Sequence, residues 1–544
     1  MVASCGSATL RTDGGAIGGS DGGEAGVRDS GAAALAITSP PSPTFTNKSV
    51  SIQVTVNGAG AGTGVQLLKN GTALATLSMP PYAFSWDTTK ETEGSYQIVA
   101  QMVLSGQIVA SAPVTIVVDR TAPTIVSSVP ASGATNVSLS DPIDVVFSES
   151  LAPASVSASA VGLALGAVVV GTTASLGTDG KTITVAVANR SSLALPGAMT
   201  ETVAPTITDL AGNAFAGASW SSSVPLWVDL GTVDGGYPQM VLDAAGEPVV
   251  VTASGTLLVS QHATATTWTV IPSPTSATSQ SSNTFGITAD KNGDLFVVWR
   301  DPSGLQLAQW TGAMWESLWT SPGDGALPAI AVNSDGRPFV SWNAAVAGGG
   351  EQADVASWTG TDWNPYPGLP FGVCDSVPCR IVLDTSDQPV VEQGSQLLRW
   401  SGSTWTTPVG SALAGLAIDG SNQVLSVQDT TTQLQVVALS AAGSLSNYVP
   451  VLNAAADNIS SDDAPQLAID DLGEPVIVWA GRSAGSAQIN VARWTGATWD
   501  QNYGALTPAQ GKAAVVLAQG SIPIVAWEDN TTASLTTHVA KSNH

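Results

Sequence analysis

Between Ala464 and Tyr503 the apolar residues fall into four short runs. Leu467 and Ile469 form the first, and a D-x-x-G-x-P turn at Asp470 follows. Pro475 to Trp479 alternate as a half-buried strand does. The third run ends at Arg493-Trp494, Thr495-Gly496 turns the chain, and the fourth carries Trp499. Four antiparallel strands in about 45 residues make the unit of a propeller blade. The unit recurs. The residue five beyond the start of each turn is Pro248, Leu295, Pro338, Pro389, Val424, Pro475 and Pro523, at spacings of 47, 43, 51, 35, 51 and 48. A W-[TS]-G-x-x-W signature follows in register at Trp310–Trp315, Trp358–Trp363, Trp400–Trp405 and Trp494–Trp499, with Trp268 alone in the first copy. Residues 225–544 therefore predict a seven-bladed β-propeller.

The ring must also close. The last repeat has no W-T-G-x-x-W fourth strand, and PLWVDL before the first repeat has the pattern of one. Leu226 to Leu230 is expected to pair with the strand near 534–540, so that residues 225–231 close the last blade and remove both sheet edges.

Upstream, alternation changes character. Val50, Ile52, Val54 and Val56 place one apolar face inward, and Asn70-Gly71 marks a hairpin. Residues 35–119, with PPYAFSWDTT, EGSYQIVAQ and VTIVVD, resemble bacterial immunoglobulin-like modules of secreted and surface proteins. After the DRTAP joint, SSVPASGATNVSLSDPIDVVFSESL and ITDLAGNAFAG are similar to the SbsA-type Ig-like domain, which spans 120–224 here. Such domains act as spacers in that family, and the resemblance raises calcium near Asp119 and Asp209, although turn capping accounts for both. The propeller repeats likewise resemble W-x-G-x-x-W propellers of secreted bacterial proteins, which fixes no activity. The fold class is all-β: two Ig-like β-sandwiches followed by the propeller.

Residues 1–34 open on V-A-S-C-G and continue in Gly, Ser and Asp without periodicity, which predicts a flexible tether. The opening resembles the lipobox of bacterial lipoproteins, which implies lipidation of Cys5 and a signal segment upstream. No run of some 18 apolar residues exists, so a membrane is reached only through such an anchor. Cys374 and Cys379 remain as a pair suited to a small loop disulfide in an oxidising compartment, since a metal set would need more His than the three in the whole chain.

Charge narrows the partners. The chain has 42 Asp+Glu against 17 Lys+Arg, and the repeat region holds most of that excess. A field of that sign repels nucleic acid and anionic lipid. No cofactor and no metal are implied, and a monomer is expected. The Asp290 loop lacks the Gly and Glu positions of a calcium loop, so its Asp is expected to cap its own turn.

Trp299, Trp342, Trp479 and Trp527 end second strands, where three blades have Thr252, Gln393 and Gln428 instead. Variation between blades marks a binding face, and packing competes with that explanation. Loops between second and third strands vary while the turns at the other blade end are uniform, so the working face is placed with the loops. There Trp299, Arg300, Asp301, Trp342, Trp479, Arg482, Trp527, Glu528 and Asp529 are the candidate binding residues, with sugar stacking on the indoles as the expected chemistry. The protein is expected at the bacterial cell surface or outer membrane through its lipid anchor, otherwise secreted, with a glycan or surface protein as ligand. A polysaccharide-active hydrolase using facing carboxylates such as Glu528-Asp529 is the alternative, and a scaffold without ligand is the third. No Ser-His-Asp set can be assembled, so catalytic residues are not assigned.

Overall fold

The computed structural model describes residues 34–58, 63–264, 266–274, 285–317, 321–346, 351–370, 372, 374, 379–394, 396–430, 433–453, 464–470, 472–483, 486–507, 513–518, 522–529, 531 and 534–543. Cys5 and the tether lie outside them. Among the described residues no helix is long and apolar enough to cross a membrane.

The first module is a two-sheet sandwich. Ala34–Ser39, Val50–Asn57 and Tyr82–Trp86 form one sheet, and Gly94–Leu104 and Val65–Lys69 are central in the other. The alternation predicted for Val50 to Val56 holds, with Val50, Ile52 and Val54 buried and Val56 partly so. Asn70 and Gly71 both take positive φ, 48° and 82°, which is what a two-residue hairpin turn demands. Trp86 and Tyr96 meet edge-on at 5.4 Å, and the Trp86 indole donates to Glu91, which is also paired with Lys69. Segments Glu149–Ser155 and Thr206–Ala216 belong to the same compact unit.

The second module has two four-stranded sheets. One runs Ile125–Val129, Ile143–Phe147, Thr182–Val187, Thr172–Leu176, and the other Val168–Val170, Val161–Leu165, Gly197–Val203, Ala218–Val224. Outside the Thr206–Ala216 segment with its buried Asp209, one carboxyl group is buried among its described residues. Glu201 is 0% exposed between Met199 and Val203, and the Ser222 hydroxyl donates to one of its carboxyl oxygens at 2.5 Å.

From residue 227 onward the described strands form seven sheets. Five of them use consecutive strands in meander order with four on the main path, beginning with Gly236–Leu242, Pro248–Ala253, Leu257–Thr264 and Thr267–Ile271. The fourth blade is reduced to Ile381–Leu383, Pro389–Gln393 and Gln396–Arg399, with a lone bridge at Trp400–Trp405 where a fourth strand would begin. The innermost strands neighbour one another in a closed cycle, from Gly236–Leu242 round to Ala513–Ala518 and back.

The seventh sheet is the closure. Trp227–Asp234 pairs antiparallel with Thr536–Ser542, from Trp227 opposite Ser542 to Asp234 opposite Thr536, with one register shift between Asp229 and Gly231. An early strand thus becomes the outer strand of the last blade, a few residues longer than the sequence pattern outlines.

The repeated turn is explained by one carboxylate. Asp290 accepts the N–H groups of Asn292 and Asp294 at 2.8 and 2.9 Å, and Asp243, Asp384, Asp419 and Asp470 do the same two and four residues on. Asn333 replaces Asp in the third blade with the same geometry. Third-strand residues take the other carboxylate oxygen in three blades: Gln261 on Asp243, Arg399 on Asp384 and Arg493 on Asp470. Arg399 and Arg493 are therefore structural. The repeated Trp residues of the W-[TS]-G-x-x-W signature pack as tilted or edge-on pairs, with centroids 5.3 to 5.7 Å apart. The fourth-strand indoles also clasp the blade before. Trp268 donates to the carbonyl of Leu230, Trp405 to Tyr366 and Trp499 to Pro450. Trp227 donates to Tyr503 at 2.6 Å, and so supplies the fourth-strand Trp that the last repeat lacks.

Burial raises the Glu201 pKa above its ordinary 4.5, outweighing the Ser222 hydrogen bond that lowers it. A raised folded-state value means the stability it contributes is full below about pH 4.5 and is lost as pH rises through the folded value. Thermal melts of the second module against pH should show that decline, and Glu201→Gln should remove it. An unchanged pH profile in the variant contradicts the assignment.

Candidate functional site

At the turn end of the blades the loops are short and capped. At the other end, second strands finish and crossovers from the preceding blade enter, and the predicted residues gather there. The four Trp side chains are 2% to 5% exposed. Each belongs to a buried cluster that spans two sheets: Trp299 with Val251 and Leu257, Trp342 with Val298 and Leu305, Trp479 with Val427 and Val436, and Trp527 with Val478 and Val491. The open ring faces that stacking on a sugar requires are therefore lacking.

Their variation between blades follows the crossovers. Thr252 donates to the carbonyl of Asp234, Gln393 to those of Pro370 and Gly372, and Gln428 to that of Ser411. Each acceptor lies in the segment entering its own blade. Trp342 covers the equivalent segment by bulk, for a Cβ added at Gly323 would lie 3.0 Å from its ring. The position thus seals the crossover, by a polar side chain where a carbonyl is in reach and by an indole where space is to be filled. Trp299, Trp342 and Trp479 leave their buried indole N–H without a hydrogen-bond partner, as a space-filling role allows.

The charged candidates divide. Arg300 is exposed and stands 3.4 Å from Asp324, itself on the crossover into the next blade. Asp301 accepts from the N–H and hydroxyl of Ser303, capping a two-residue hairpin. Arg482 lies on the second strand Pro475–Ser483, and its side chain is outside the described residues. Glu528 is 5% exposed and accepts the N–H of Tyr237, joining the last blade to the first. Asp529 accepts from Thr531 and lies 3.5 Å from His538, whose ring stacks on Trp527. The hydrogen bonds from Thr531 hold the Asp529 carboxyl below its usual range. As strand neighbours Glu528 and Asp529 project to opposite faces, so they do not form the facing pair of a glycosidase.

Features without a sequence signal complete the rim. Tyr237 and Leu327 adopt φ of 58° and 56°, unusual for large side chains, beside register shifts in the inner strands of the first and third blades. Glu392 is 4% exposed and paired with Arg380 at 3.1 Å, burial being the larger influence and raising its pKa. Cys374 and Cys379 are joined by a disulfide beside Asn343, which accepts the Cys374 N–H at 3.0 Å. In the first unit Asp119, Glu149 and Asp209 come within 4.8 Å of one another. Asp209 there accepts from the backbone and side chain of Asn213, and Asp119 caps Thr121, which is the turn capping expected of them.

Because its ring fills an interblade gap, Trp479→Ala should cost about 3–5 kcal/mol of propeller stability by chemical denaturation. A loss below about 1 kcal/mol would return the position to the surface.

Residues 119–224 match a family described as bacterial Ig-like domain, and residues 34–100 one described as bacterial Ig domain. No curated protein matches the chain. Among solved structures it is similar to fibronectin(III)-like modules of Clostridium thermocellum CbhA, at 23% identity over 15% of this chain and 93% of that one, TM-score 0.14. It is also similar to a Quinonprotein alcohol dehydrogenase-like protein from Bacteroides thetaiotaomicron, at 8% identity over 77% of this chain and 99% of that one, TM-score 0.27. A third is a mutant of AofleA from Arthrobotrys oligospora, at 10% identity over 52% of this chain and 90% of that one, TM-score 0.35. The chain is all-β, with bacterial Ig-like domains at residues 34–100 and 119–224 ahead of propeller-like sheets.

Proposed function

We propose that this is an exported bacterial surface protein, anchored through Cys5, whose propeller binds a glycan or protein ligand at the face formed by second-to-third loops and crossovers. The Ig-like matches support export, because such modules serve as spacers in surface proteins. One observation carries the choice of face. The second module stands at the turn end of the propeller: its residues Val129 to Ile143 and the propeller turns at 246–248 and 262–264 line one crevice of about 770 Å³. The loop end is the opposite end of the blades, and charged Arg300 and Asp301 project there beside Asp324.

With the indoles committed to packing, recognition falls to hydrogen bonding and charge. Arg300 offers a planar donor fork to a sugar hydroxyl, a uronate or a peptide carboxylate. Arg482 occupies the corresponding strand end in the sixth blade. The Tyr237 and Leu327 bulges place strained backbone at the same rim, as ligand-contact loops do elsewhere.

A glycan array and a panel of surface proteins, probed with the whole chain, test the reading. Arg300→Ala should weaken any ligand found by about ten-fold or more, the range of a charge-assisted hydrogen bond, with an unchanged melting midpoint. Binding that survives Arg300→Ala and Arg482→Ala together would place the site elsewhere.

A further inference from the structure

We propose that the second Ig-like module is a clamp on the seam that closes the propeller, a function beyond that of a spacer. The seam joins Trp227–Asp234 to Thr536–Ser542, segments about 300 residues apart, whereas neighbouring strands within the other blades are linked by short loops. Bringing such distant segments together carries the largest loop-closure cost in the ring. An opened seam would also expose two strand edges.

Three side-chain staples run from the module to this seam. Asn136 donates to the carbonyl of Asp229 at 2.7 Å and accepts its N–H at 2.9 Å, gripping the first strand at both polar groups of one residue. Lys541, on the second strand, donates to Asp141 at 2.8 Å. Asn543, just past that strand and 0% exposed, binds both. Its amide group donates to the carbonyls of Val137 and Pro225 at 2.8 Å, its side-chain oxygen accepts the Leu139 N–H at 2.7 Å, and its own N–H donates to Leu226. One short stretch, Asn136 to Asp141, therefore holds both strands of the seam. The chain also passes from module strand Ala218–Val224 into the closing strand with only Pro225 and Leu226 between.

A crevice of about 770 Å³, lined in part by Val228 and Leu230 of the closing strand, lies alongside these contacts. Polar staples carry the joint. Because they reach both strands, parting the strands requires that at least one set break, and breaking one set leaves the other to hold its strand in place. The clamp stands or falls independently of ligand binding.

Hydrogen–deuterium exchange on the whole chain tests this with substitutions that leave the strand pairing itself intact. Asn136 and Asp141 are exposed, so Asn136→Ala with Asp141→Ala leaves the module core untouched. Amides of 227–234 and 536–542 should then exchange roughly ten-fold faster, as expected for the loss of one to two hydrogen bonds' worth of restraint. Amides of Leu295–Asp301 should keep their protection. Lys541→Met, made from the propeller side, should shift the same amides in the same direction by a smaller factor. Faster exchange confined to 136–143, with the seam protected as before, would overturn the clamp and leave the module a spacer.

Discussion

A β-sheet ends in unpaired N–H and C=O groups, and this propeller is organised around having none to spare at its ring closure. Pairing Trp227–Asp234 with Thr536–Ser542 lets the last blade borrow its outer strand from the start of the domain. The other blades are hairpin-connected and can form locally. The closure cannot, and the contacts gathered there reflect it: Trp227 clasps Tyr503, Glu528 takes the N–H of Tyr237, and Thr537 donates to Gly235.

Within the blades, stability is repeated and not concentrated. Six of the repeated turns are fixed by a single side-chain oxygen that satisfies two backbone donors, and second-strand side chains fill the blade interfaces. In a chain with charged residues at only 11%, long-range ion pairing contributes little, and partly buried pairs such as Arg399–Asp384 and Arg493–Asp470 fasten turns. The acidic surplus sets partners and not fold.

The architecture was legible because it rests on periodic signals. Alternating apolar residues, D-x-x-G turns and paired Trp each report a local geometry, and their recurrence excludes chance. The role of the second-strand Trp was not legible. Variation across Trp299, Thr252 and Gln393 has the look of a binding face, yet it records how each crossover is sealed, which depends on loop conformation. The closing strand that carries Trp227 was legible, but the part its indole plays was not, for a related reason. Trp227 stands 276 residues before Tyr503, whose carbonyl its indole clasps, and only the closed ring brings it into the series. Glu392, Asn543 and the strained Tyr237 carry no local pattern at all, since their importance comes from burial and from partners distant in sequence.

Ring closure is tested most directly by a cross-link across the seam. Asp234 and Thr536 are register partners at its end. Asp234→Cys with Thr536→Cys should give an intramolecular disulfide on mild oxidation, since paired strand positions lie within the Cα separation of about 4.4–6.8 Å that a disulfide spans. Asp234→Cys with Ser446→Cys, the latter on the fifth blade, should give none. Two reactive thiols at 234 and 536 that never join would contradict a closed ring.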